Sequence, residues 1–191
     1  MRKHVIIIVS VLTFVGVYHK CTAQESPDLI EQDLRRVADS LSSLAVELTP
    51  FMDVTFGVDS EFRNQFGAFQ IHNLALSAHD KVWNTRLFAL ISPDRRATEI
   101  AICEGLAYNI GFLKMAEWSV RKEMKRVTDT TIIRIGTRTR IILASLVERL
   151  GTFDWGPCGS SIERRLQFAE SVIEETETEM DSAGFSPVNP Q

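Results

Sequence analysis

The sequence predicts an all-α protein, an up-and-down bundle of four to five amphipathic helices held by one disulfide. Three observations lead there: apolar stripes at helical spacing recur along the chain, cap and breaker residues fall between them, and no credible strand partner exists elsewhere. Residues 1–23 stand apart. A basic start (Arg2, Lys3) runs into an apolar stretch from Val5 to Val17 and the small-residue exit Cys21-Thr22-Ala23, which is the pattern of a secretory signal peptide cut before Gln24.

After Pro27, the residues Ile30, Leu34, Val37, Leu41, Leu44 and Leu48 alternate spacings of four and three, one stripe on a first helix. The stretch Thr49 to Val58 is irregular, and Asp59 or Ser60 caps a second helix. Its expected stripe is Phe62, Phe66, Phe69, Asn73, Leu76, Asp80, Trp83, Leu87 and Leu90. Ser92-Pro93 supplies an N-cap and a first-turn proline, so a tight reversal leads into a third helix from Pro93 to about Val127. That helix places Cys103, Leu106, Ile110, Leu113, Val120, Met124 and Val127 on one side, and its Gly105 and Gly111 imply close helix packing.

The fourth element is ambiguous by composition. Residues 130–141 are β-branched and partly alternating, as a strand pair would be, yet Ile132, Ile135, Ile142, Leu146 and Leu150 hold helical spacing, and helix is the reading adopted. Gly151 is placed to close it. Ser160 with Glu163 matches a capping box opening the last helix, whose stripe is Ile162, Leu166, Ala169, Ile173, Thr176 and Met180. The tail from 182 to 191 reads as frayed. Helices of more than thirty residues are about 50 Å long, while ten connecting residues span about 35 Å at most. Consecutive helices therefore alternate in direction, with the first expected as a fifth element lying across or beside the others.

Removing the leader takes Arg2, Lys3, Lys20 and no acid, and lowers the formal net charge from −4 to −7. Such a mature chain, residues 24–181 as one domain, is unsuited to wrapping nucleic acid. Basic residues crowd Lys114 to Arg140 and acids crowd Glu170 to Asp181; solvated faces and contacts between the two account for them. Cleavage leaves Cys103 and Cys158 as the remaining cysteines, read as one structural disulfide. A closed loop of that length stabilises by roughly 4 kcal/mol through chain entropy.

Candidate sites are sparse. His72 and His79 share a helix face about 10 Å apart, too far to ligate one metal ion, and no metal or cofactor is expected. Phe51, Phe56, Phe62, Phe66 and Phe69, with Asn73 beside them, either fill the core or line a cavity for a small apolar ligand. Phe153 and Trp155 read as a cap over the loop holding the disulfide. No nucleophile, acid–base or metal constellation is legible, which leaves a secreted, non-enzymatic binding protein directed at an extracellular macromolecule or a small apolar ligand, touching membrane only during export. The alternative is a membrane-tethered structural or adaptor protein that keeps residues 5–18 as an anchor, although the run is shorter than the roughly 20 apolar residues a span needs. Mass spectrometry of the natively produced protein separates the two: a first residue of Gln24 and a mass two hydrogens below the reduced chain are expected, and an intact Met1 with free thiols rejects export.

Overall fold

The computed structural model describes residues 27–52, 60–89 and 100–183. Five α-helices make up almost all of them: α1 (Pro27–Leu48), α2 (Ser60–Ala89), α3 (Ile100–Met124), α4 (Thr130–Thr152) and α5 (Gly159–Ser182). Short 3₁₀ turns follow α1 at Thr49–Phe51 and precede α5 at Gly156–Cys158, and there is no strand among the described residues. The expected leader, Phe56, the Asp59 cap, Leu90, the Ser92-Pro93 reversal and the tail beyond Ala183 lie outside the described residues. No described helix is long and apolar enough to cross a membrane.

Cross-helix pairs fix the direction of each neighbour. Along α1 and α2, Glu31 meets Arg86 and the Ala45 carbonyl meets His72, so the two run antiparallel. Phe88 approaches Gly105 while Lys81 lies over Tyr108 and Phe112, which makes α2 and α3 antiparallel as well. Met124 approaches Gly136 and Glu117 pairs with Arg140, the same relation for α3 and α4. Asp33 pairs with Arg149 and Glu47 with Arg138, which brings α4 back antiparallel to α1. The first four helices therefore each touch two neighbours in turn. Helix α5 instead runs parallel to α3, with Glu104–Arg164, Lys114–Glu170 and Arg121–Glu177 in register, and makes little contact with α4. The outlying fifth helix is thus α5 rather than α1: α1 buries Ile30, Leu34, Leu41, Leu44 and Leu48 almost completely, whereas α5 buries Ile162, Ala169 and Ile173.

Local signals explain most element limits. Asp129 caps α4, its Oδ1 accepting from the amides of Thr131 (2.8 Å) and Ile132 (3.0 Å). That cap, with Ile132, Ile135, Leu143, Leu146 and Leu150 buried, settles residues 130–141 as helix. Its β-branched threonines are satisfied within the helix: Thr137 and Thr139 donate to the carbonyls of Ile133 and Ile135. Gly151 does not close α4, which continues to Thr152 and ends where the Phe153 amide donates to the Arg149 carbonyl. Nor does the Ser160–Glu163 capping box form. Gly156, at φ 57°, turns the chain into a 3₁₀ turn that feeds α5 two residues earlier, with Cys158 at the N-cap and Ser160 inside the first turn.

The second helix overturns its predicted face. Its core side is Gly67, Ala68, Ile71, Ala75, Ala78, Val82 and Thr85, all buried, while Phe66, Phe69, Leu76, Asp80, Trp83 and Leu87 of the expected stripe are exposed. The reason is closeness. A β-carbon at Gly67 overlaps the Val127 methyl Cγ2, and one on the facing Gly136 lies 2.8 Å from Met124 Cγ and 3.2 Å from Ile71 Cδ1. Small residues let the helix axes approach, and the bulky apolar groups go to the other side.

The ring of four helices leaves α5 with one principal neighbour, and the bridge Cys103–Cys158 ties it there, with Cα atoms 4.8 Å apart at a sequence separation of 55. Trp155 fills the space under this turn, 2% exposed, its Nε1 donating to the Leu150 carbonyl at 2.8 Å and its ring meeting Phe153 edge-on at 4.7 Å. Gly67→Ala is expected to lower stability by about 1–2 kcal/mol, the overpacking cost against stiff Val127 exceeding the helix-propensity gain. Gly159→Ala, with open space around its β-position, is expected to be neutral or stabilising by under about 1 kcal/mol. Urea titrations of both variants check the contrast.

Candidate functional site

Helix α2 is apolar on two opposite sides. Its inner face packs into the core; its outer face carries Phe66, Phe69, Leu76, Trp83 and Leu87, each between 39% and 50% exposed. A surface helix ordinarily has one apolar stripe, and a helix apolar all round is ordinarily covered all round. With 30 residues, α2 is about 45 Å long, and the exposed groups recur over most of it. The outer face is ordered by its own contacts: Phe62 and Phe66 stack at 6.0 Å, His79 stacks on Trp83 at 6.4 Å, and the Arg86 guanidinium lies 4.4 Å from the Trp83 ring centre while it also pairs with Glu31.

The sequence-predicted site residues separate onto different surfaces. Phe51 is half-buried and packs against the core from the turn after α1. Phe56 lies outside the described residues. Phe62 and Asn73 are partly buried, and Phe66 and Phe69 stand exposed on the outer face. The described phenylalanines therefore do not converge on one interior space: Phe51 is turned to the core while Phe66 and Phe69 face outward.

Polar candidates are occupied structurally. His72 Nδ1 is 2.8 Å from the Ala45 carbonyl oxygen and fastens α2 to α1, while His79 Nδ1 is 3.1 Å from Asp80 Oδ1. Asp80 is exposed. The basic and acidic segments meet along α3 and α5, as the charge pattern implied, with Lys114–Glu170 at 3.2 Å and Arg121–Glu177 at 2.9 Å; Trp118 Nε1 donates to the same Glu177 carboxylate. No group of His, Cys, Asp and Glu side chains capable of holding a metal ion occurs among the described residues. Asn64 performs a role that sequence reasoning missed: its Oδ1 accepts from the amides of Thr128 (2.8 Å) and Asp129 (3.1 Å), fixing the α3–α4 connection against α2. A polar side chain near a helix start carries no sequence signal for a partner 64 residues away.

Comparisons of the chain with protein-family models, curated proteins and solved structures find no match.

The two faces of α2 make a direct contrast. Leu76→Ser on the outer face is expected to change stability by no more than about 0.5 kcal/mol, whereas Ile71→Ala on the inner face is expected to cost about 2–5 kcal/mol. Chemical denaturation of the two variants measures both.

Proposed function

We propose that this chain is an exported, non-enzymatic binding protein, an up-and-down helical bundle that recognises the apolar surface of an extracellular protein through the outer face of α2. The observation that carries the reading is the second apolar side of α2, whose Phe66, Phe69, Leu76, Trp83 and Leu87 stand exposed outside the core of the described residues. Aromatic groups supply much contact area for little conformational entropy, and Phe66, Phe69 and Trp83 are of this kind. Alternating helix directions along the ring α1 to α4 support the bundle topology. The leader pattern and the Cys103–Cys158 bridge support delivery to an oxidising compartment.

Surface recognition is favoured over carriage of a small apolar ligand because Phe66 and Phe69 point outward and Phe51 packs on the core, so the residues predicted for a ligand cavity are dispersed. The test places a photo-reactive benzoylphenylalanine at position 76 and, as a control, at the exposed Ser145 of α4, in the natively exporting cell. A discrete adduct from position 76, absent from position 145 and lost when Phe69→Ser is added, is the expected result. Identical adducts from both positions, or none, overturn the reading, and a lipid recovered by organic extraction of the purified protein replaces it with the carrier.

A further inference from the structure

The outer side of α2 has more order than an exposed patch needs. From Phe62 to Leu87 its positions step by four and three residues without a break, which resolves them into two rows of seven-residue period. Phe62, Phe69, Leu76 and Trp83 form one row; Phe66, Asn73, Asp80 and Leu87 form the other. Two such rows side by side over more than three repeats make the narrow seam of a coiled coil. The core takes a separate, inner face of α2 that includes Ala68, Ile71, Ala75 and Val82. Five of the eight seam positions hold the exposed groups Phe66, Phe69, Leu76, Trp83 and Leu87, so the seam lacks its partner helix among the described residues.

The residues in and beside the rows discriminate among occupants. Along the middle of the seam the flanking positions are Gln70, His72, Ser77 and His79, with Arg63 and Arg86 only toward its ends, and Arg86 is taken by Glu31. A foreign helix chosen by complementary charge finds little to read there. A lipid surface is disfavoured by Asn73 and Asp80, polar groups at mid-seam that hydrocarbon leaves unpaired.

A second α2 does fit. Laid antiparallel about a two-fold axis between Asn73 and Leu76, one row faces the other: Phe62 is level with Leu87, Phe66 with Trp83, Phe69 with Asp80 and Asn73 with Leu76. The two Asp80 carboxylates then stand about 16 Å apart along the helix, beyond the screening length of about 8 Å at physiological salt. Parallel pairing sets them face to face. The Asn73 side chain is partly buried and has no hydrogen bond among the described residues; the antiparallel register brings it within one helical turn of its symmetry mate. With two-fifths to half of each still open, the five exposed apolar groups leave roughly 400–500 Å². A two-fold interface counts that patch twice and so approaches the total of about 1,000 Å² that a specific interface requires.

We propose that the outer face of α2 pairs with the same face of a second copy of this chain, as an antiparallel two-helix seam centred between Asn73 and Leu76. The inference rests on the reading of that face as a recognition surface and names its occupant.

The test is sedimentation equilibrium of the exported protein with its disulfide intact. A monomer–dimer equilibrium with a dissociation constant below about 100 µM is expected, the range of a small interface. Leu76→Glu puts two carboxylates beside the axis and is expected to weaken dimerisation at least about ten-fold. Asp80→Leu removes the charged member of the seam and is expected to tighten it about five-fold, while Ser145→Glu, on the exposed side of α4, leaves it unchanged. Unaltered circular dichroism of each variant separates loss of pairing from loss of fold. A nitroxide on Asn84→Cys reads direction: the antiparallel register sets the two labels about 28 Å apart along the helix, and a parallel one sets them side by side. A monomer up to about 500 µM, a dimer indifferent to Leu76→Glu and Asp80→Leu, or labels lying side by side overturns the self-pairing. The photo-adduct from position 76 then separates the two readings. Capture of a different protein by a monomeric chain keeps the face as a recognition surface with another occupant, and the absence of any adduct removes both.

Discussion

Close approach along the inner face of α2 is the constraint on which the other helices depend. Gly67, Ala68, Ala75 and Ala78 present almost no side chain, so the α3–α4 connection at Val127 comes nearly to the backbone of α2, while Gly136 of α4 lies against the side chains of Ile71 and Met124. Larger groups supplied by the neighbours fill what remains: Leu34, Leu41 and Leu48 from α1, Ile110 and Leu113 from α3, and Ile132, Ile135 and Leu143 from α4. Each leucine or isoleucine buried in this way contributes about 1.5–3 kcal/mol, so α2 acts as a thin spar against which others pack. Its own bulky apolar residues lie on the opposite side, exposed.

The periphery is held by different means. Along α3 and α5, the pairs Lys114–Glu170 and Arg121–Glu177 repeat at seven-residue spacing on both helices, the interval at which residues return to one side of a helix. They are substantially exposed, so each contributes at most about 1 kcal/mol, and they set register more than stability. The apolar content of α5 is modest, and the bridge at Cys158 compensates by fixing one of its ends. Trp155 shields that junction and satisfies the Leu150 carbonyl near the end of α4.

Much of this was legible in the sequence, in proportion to how far polarity alone decided the outcome. The α1 stripe was, because its opposite side is charged and only one face is apolar. The disulfide was, on the expectation that Cys21 belongs to a leader. The α2 face was not: both of its sides are apolar, periodicity picks out the larger residues, and the fold is governed by size, which a count of apolar positions does not weigh. Residues 130–141 looked divided between helix and strand because β-branching was read without Asp129, whose side chain supplies the missing start signal. The Ser160–Glu163 match failed because the turn at Gly156 begins the helix two residues too early for a serine cap to act. Connection lengths implied alternating directions but carried no information on which helix lies outside. The approach of Lys81 to Tyr108 was beyond reach, since it joins two helices whose mutual placement no local pattern encodes.

The Cys103–Cys158 bridge has a mechanical corollary. A rod that leans chiefly on one companion and is riveted near its root has a single soft degree of freedom, a swing of its distal end about that rivet. Excursions of α5 away from α3 therefore grow toward Ser182 and vanish toward Gly159, so Glu177 parts from Arg121 before Arg164 parts from Glu104. Helix α5 peels from its Ser182 end, and the rivet decides where the peeling stops.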